Sequence, residues 1–169
     1  MANDINKYLS LNGLPINLFG IGCVIDTFGT VIPIKRYEKT LFRSSNGLGV
    51  ATGTFSEPLS DFDEIGIACG WNSSRNVHGR NWLWFSKNAF QSTTGTVKLS
   101  FTLNNSSNYY FFMSLFNYDN ENKTFTVPND QATHYWGLIS PVSTTGTIVA
   151  QNNNSRHQVI CEIVGVKYQ

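Results

Sequence analysis

Apolar residues in this chain recur at every second position and in no sustained run at every third or fourth. That one feature excludes most architectures. Val97, Leu99, Phe101 and Leu103 alternate with Lys98, Ser100 and Thr102, the pattern of a strand with one face buried and the other in water. Ile65, Ile67, Cys69 and Trp71 alternate in the same way, but only Gly66, Ala68 and Gly70 stand between them. A face that bare needs another sheet or a subunit to approach it closely. Residues 62–71 are expected to form a central strand, entered through the turn Ser56-Glu57-Pro58-Leu59-Ser60-Asp61.

The rest of the chain reads as strands cut by Asn, Ser, Gly and Asp turns. Residues 47–55 are expected as a strand with Leu48, Val50, Thr52 and Thr54 on one face, residues 72–79 as a polar loop, and 80–86 as an aromatic strand. Residues 109–118 (YYFFMSLFNY) are apolar on both faces. They should be covered by a second sheet on one side and a neighbouring subunit on the other, with Phe112 and Phe116 near that border. Tyr135–Ile139 is a further short strand, and residues 158–168 close the chain. Ser143-Thr-Thr-Gly-Thr repeats the turn at Ser92 and again precedes an apolar pair, Ile148-Val149. The charge-dense stretch Arg36–Arg43 is expected as a solvated connector. About eight to ten antiparallel strands at this spacing make an all-β protein, a jelly roll or β-sandwich.

Charged residues are 14% of the chain, against a usual value of about 25%. The net charge of +1 gives no reason to expect nucleic acid or an acidic membrane as a partner. So few charges raise the expectation of a subunit interface. No apolar run approaches the roughly 20 residues of a membrane span, and the start lacks the pattern of an export signal. Cys69 and Cys161 sit inside apolar strand patterns and, with Cys23, show no metal-binding spacing. They are expected as buried free thiols in a protein assembled in a reducing cytosol. Residues 1–40 are apolar but broken by Gly13, Pro15, Gly20 and Gly22. They read either as an attachment and oligomerisation segment preceding a domain over 41–169, or as a first pair of strands of that domain.

Chemistry that needs a catalyst is poorly represented. His78, His134 and His157 are isolated and lack zinc-ligand spacing. Asp61, Asp63 and Glu64 form an acidic cluster, but adjacent Asp63 and Glu64 point to opposite faces of a strand and cannot share one substrate bond. No catalytic residue, metal site or cofactor is expected. Binding chemistry is better represented. Trp71, Asn72, Arg75, His78, Arg80 and Trp82 gather around one loop and the strand after it. Trp82 and Trp84 share a strand face as an aromatic platform, although Trp71 and Trp84 also fit a core. Indole faces flanked by Asn, Arg and His suit sugar rings, whose CH faces stack while their hydroxyls find polar partners. His134, Tyr135 and Trp136 form a second cluster of the same character.

Two segments carry a family resemblance. Within residues 54–67, L-S-D-F-D-E-I runs from a turn into a strand and resembles the opening of the C-terminal domains of bacteriophage and prophage tail fibres. The closing Ile163-Val164-Gly165-Val166-Lys167-Tyr168 resembles the I-x-G-I-K strand with which many such proteins end. The resemblance covers residues 47–169. It implies a jelly-roll-like β-sandwich, a homotrimer, and a place at the distal end of a virion tail, binding a host-surface glycan or protein. It carries over no binding residue. A tail fibre has a long shaft before its tip, and here about 40 residues precede the domain. Either this is an excised tip, or residues 1–40 clip a short protein onto other virion proteins. The expectation is a non-enzymatic virion adhesin made in the bacterial cytoplasm, with no nucleic-acid partner and no membrane insertion. The alternative is a purely structural capsid decoration, head fibre or baseplate accessory protein.

Overall fold

In the computed structural model the described residues are 23–25, 31–33, 35–45, 49–72, 77–105, 108–128, 135–139, 148–151 and 157–168. Side chains are described over 35–45, 49–70, 81–102, 111–128 and 158–168. The period-two segments are strands: β1 (Cys23–Ile25), β2 (Val31–Pro33), β3 (Arg36–Arg43), β4 (Thr52–Thr54), β5 (Glu64–Asn72), β6 (Val77–Ser86), β7 (Thr94–Asn105), β8 (Asn108–Asp119), β9 (Thr124–Thr126), β10 (Tyr135–Ile139), β11 (Ile148–Gln151) and β12 (His157–Tyr168). Short 3-10 turns cover Leu59–Asp61 and Lys87–Phe90. Among the described residues no helix is long and apolar enough to cross a membrane.

Ten of these strands form two antiparallel sheets, one in the order β11-β10-β8-β9-β4 with β7 on the far side of β8, the other in the order β3-β12-β5-β6. β1 and β2 form a separate hairpin. The chain divides into two compact units, one over Glu38–Val166 and the other gathering the segments up to Tyr37 and from Lys167 onward.

Both sheets contribute to one core within Glu38–Val166. Val97, Leu99 and Phe101 of β7 are buried while Lys98, Ser100 and Thr102 are exposed, as the alternation requires. Ile65, Ile67 and Cys69 of β5 and Ile160 and Ile163 of β12 face them without solvent contact. Phe rings fill the space between: Phe116 stacks on Phe125 at 5.4 Å and takes the edge of Phe90 at 6.4 Å. Such pairs add about 0.5–1.5 kcal/mol to the burial of their area. Phe62 lies over Gly165, where a Cβ would come within 2.4 Å of its ring, so the closing strand needs glycine at that position.

Three expectations are corrected. Arg36–Arg43 is the edge strand β3 rather than a connector, with Leu41 turned inward and buried. Its charges fit that place, because a charged edge resists pairing with other chains. Lys39 pairs with Glu57, and Arg43 Nε donates to Glu162 at 3.0 Å. Residues 47–55 are not one strand. Val50 exchanges two backbone hydrogen bonds with Ile160 of β12, at 3.0 and 2.9 Å, and Ala51 then bends the chain so that β4 pairs with β9 in the other sheet.

The third correction concerns β8. Phe112, Ser114, Phe116 and Tyr118 are buried between the sheets, while Phe111 and Leu115 are half-buried and Met113 is 39% exposed. Phe112 and Phe116 are fully buried in the core of the chain itself. The outward apolar members are Phe111, Met113 and Leu115.

The β8–β9 turn is held by Asp119, whose carboxylate accepts from Asn122 N at 2.8 Å and from Asn122 Nδ2 at 2.7 Å. The first of these bonds keeps the Asp119 carboxyl below its ordinary 3.8. A carboxylate held below its unfolded value helps the turn above that value, and the help is lost as pH falls through the lowered one.

Two outcomes follow for measurement. By denaturant unfolding, Phe116→Ala should cost about 3–5 kcal/mol and Met113→Ser about 0.5 kcal/mol or less; equal losses would contradict the assignment of faces. By NMR, Asp119 should titrate below 3.8, and Asn122→Ala should move its midpoint upward. That substitution removes only the side-chain donor and keeps the backbone N–H, so a midpoint it leaves unaffected would remove the Asn122 side-chain hydrogen bond as a cause.

Candidate functional site

The β5–β6 hairpin decides which side chains meet solvent. Its register pairs Ile65 with Phe85, Gly66 with Trp84, Ile67 with Leu83, Ala68 with Trp82 and Cys69 with Asn81. Residues directly opposite share a face. Leu83 and Phe85 therefore join Ile65 and Ile67 on the core side, where both pack against the buried cluster. Trp82 and Trp84 take the outer side over Gly66 and Ala68.

The two indoles are 42% and 48% exposed. They stack with centroids 5.8 Å apart and planes 19° from parallel. The far edge of Trp84 reaches across to β5: its Cη2 and Cζ3 lie 2.8 Å from where a Cβ on Gly66 would stand. The bare face is thus occupied by an indole from the neighbouring strand of the same chain, and Ala68 beside it is fully buried. Trp84 lies on the surface and not in the core, because Leu83 and Phe85 already supply the inward positions of β6.

β6 is the edge of its sheet, and Asn81 ties it to the other sheet by donating from Nδ2 to Thr102 O of β7 at 2.9 Å. That bond fixes the strand one residue before Trp82. Across the outer face, Ala68 lies between Trp82 and Glu162 in the cross-strand register. Glu162 is mostly buried and paired with the exposed guanidinium of Arg43. Neither Arg43 nor Glu162 stood out in the sequence, since Arg43 lay in a stretch read as a connector.

The loop expected over 72–79 is shorter than its sequence suggests. β5 runs to Asn72 and β6 begins at Val77, with Trp71 opposite His78 and Asn72 opposite Val77 after an irregularity between Cys69 and Trp71. Trp71, Asn72, His78 and Arg80 thus occupy strand positions on the hairpin that carries Trp82, though their side chains lie outside the described set, as do Arg75 and His134 altogether. Tyr135 and Trp136 begin β10, opposite Met113 and Phe112 of β8. They belong to the other sheet, so the two sequence clusters do not share one ladder.

Asp61 sits in the 3-10 turn before β5. Asp63 uses its backbone there, donating to Val166 O and accepting from Lys87 N, each at 2.8 Å. Among the described residues no three His, Cys, Asp or Glu side chains converge as a metal site would require. Cys69 and Cys161 are free and buried, and burial first, then the neighbouring Cys161, pushes the Cys69 thiol far up from its ordinary range. A thiol so placed stays protonated and unreactive.

No protein-family model matches the sequence, and no curated protein matches it at a significant level.

Stacked indoles couple their electronic transitions, so the native protein should show an exciton couplet in the circular dichroism spectrum. Trp82→Ala and Trp84→Ala should each abolish it at a loss of about 1 kcal/mol in stability, since both rings are about half exposed. A couplet that survives either substitution would mean the rings are not paired in solution.

Proposed function

We propose that this chain is a bacteriophage virion protein, the receptor-binding tip of a tail fibre, which engages a host cell-surface glycan through Trp82 and Trp84. The observation that carries this reading is the exposed, mutually stacked indole pair on the outer face of the four-stranded sheet. Burying a large apolar side chain is worth about 1.5–3 kcal/mol. Two adjacent indoles left about half in water forgo part of that gain, and paired exposed aromatics mark a surface that meets a partner. Sugar CH faces suit indoles, and a chain of net charge +1 offers little for a strongly charged partner.

The same reading takes the two sheets as a jelly-roll-like β-sandwich and the assembly as a homotrimer. The outward face of β8, with Phe111, Met113 and Leu115, is its candidate contact between copies. Residues 1–40 are then the attachment to other virion proteins. That apolar face also supports a second reading, a capsid decoration, head fibre or baseplate accessory protein that only packs against neighbours.

Adsorption to intact bacteria together with a glycan array tests the first reading. The wild type should bind. Trp82→Ala/Trp84→Ala, with its oligomeric state unchanged, should lose at least about tenfold in affinity, or about 1.4 kcal/mol. A wild-type protein that enters particles but adsorbs to no bacterial surface and no glycan leaves the purely structural reading in its place.

A further inference from the structure

The outer face of the four-stranded sheet carries a cation beside the indoles. Across the strands, Trp82 lies opposite Ala68 and Ala68 opposite Glu162, while Trp84, Gly66 and Val164 form the neighbouring row. Adjacent strands are about 4.8 Å apart, so the Cα atoms of Trp82 and Glu162 stand roughly 10 Å from one another. Ala68 between them meets no solvent, so no water-filled gap separates the two.

Arg43 is the group that this row presents to water. Its Nε donates to Glu162 Oε1 at 3.0 Å, and its Nη2 donates to the same oxygen. The Arg43 side chain is 68% exposed and that of Glu162 only 11%, so the anchor is buried and the charged head is not. A guanidinium offers donors along two edges of a rigid plane. Glu162 takes the Nε/Nη2 edge, and among the described residues no group bonds the Nη1/Nη2 edge. Stability accounts poorly for this arrangement. An ion pair with one member in water contributes little, and taking a carboxylate out of water is costly, a cost that an apolar residue at 162 would avoid. What the pair achieves is to hold the guanidinium in one orientation on the face that carries the indoles.

The free edge selects what it meets. It donates and cannot accept, so the ligand must present acceptor oxygens. A carboxylate matches it with two parallel charge-assisted bonds. Glu162 opposes a second anion, but from the other edge of the guanidinium. A bound carboxylate would lie about 3 Å from the nitrogens it accepts from and about twice as far from the Glu162 oxygens, so attraction exceeds repulsion about twofold. A phosphate dianion would bring a further negative charge that Arg43, already shared with Glu162, does not offset. Sugars carrying one carboxylate per ring are uronic and ulosonic acids, and a disaccharide spans the separation between Trp82 and the Arg43–Glu162 pair.

We infer that the indole pair is one half of an acidic-glycan site, in which Arg43, oriented by Glu162, takes the carboxylate of a uronic or ulosonic acid residue while Trp82 carries the ring beside it. The inference rests on the glycan-binding reading and names its substrate class. The full chain is titrated by calorimetry with sialyllactose against lactose, with digalacturonic acid against its methyl ester, and with glucose 1-phosphate. In at least one pair the acidic member should bind at least about tenfold more tightly than its neutral counterpart. Arg43→Gln/Glu162→Gln removes both charges together and leaves no buried carboxylate unpaired. With its circular dichroism spectrum unchanged, that variant should bring the acidic member down to its neutral counterpart. Arg43→Lys keeps the charge and loses the fork, and should retain only part of the preference. Trp82→Ala/Trp84→Ala should weaken both members of the pair. Equal binding of acidic and neutral members, a preference that survives the loss of Arg43, or binding confined to glucose 1-phosphate would each overturn the inference. Equal binding would leave the glycan-binding reading standing, whereas binding of no saccharide at all would overturn both.

Discussion

The register of β5 against its two neighbours is the constraint on which the rest depends. Side chains alternate with a period of two, so a slip of one residue would exchange the faces of the whole strand. In the observed register Ile65, Ile67 and Cys69 meet the Phe-rich side of β7 and β8, and Gly66 and Ala68 turn outward. The opposite arrangement would place glycines against Phe62 and Phe116 and leave isoleucines in water. The hydrophobic effect therefore selects one register, and that register also brings Trp82 and Trp84 to the surface.

Gly66 is where fold and candidate function meet. A side chain there would collide with Trp84 and with Val164 from the other flanking strand. Its absence lets an indole lie across the sheet, so that the pair is held by its neighbours while remaining half in water. A bare strand and an aromatic strand are thus two halves of one local structure. The turns before β5 and β7 and the β8–β9 turn are tied by a different device, the single buried amide of Asn120.

Elements with one clean face were legible in advance. The alternation in β7, the short β10 and the closing β12 lie where their patterns indicated. Elements with similar residues on both faces were not. In β3, charges occupy both sides, Leu41 is the one buried residue and Phe42 packs half-buried against Phe125, since an edge strand needs little core contact. In β8, Phe111 and Phe112 are adjacent and equally apolar, and nothing local says which belongs to the core. The candidate site shows the same limit: that Trp82 and Trp84 share a face follows from their spacing, but Leu83 and Phe85 compete with them for the inward one.

From the sequence alone the chain was determined to be all-β, with its turns at Asn, Ser and Gly clusters and its buried alternation in β5 and β7, because these follow from local chemistry and a period of two. Only the tertiary structure decided which side of β6 and β8 faces inward, and that residues 50–54 pass from one sheet to the other. It also decided that Ile160 and Ile163, three residues apart, both reach the core. They do so because Cys161 is the extra residue of a bulge between Ile160 and Glu162, its carbonyl taken by Ser44 N at 2.9 Å. These outcomes depend on partners distant in sequence, and the segment itself does not specify which partner it meets.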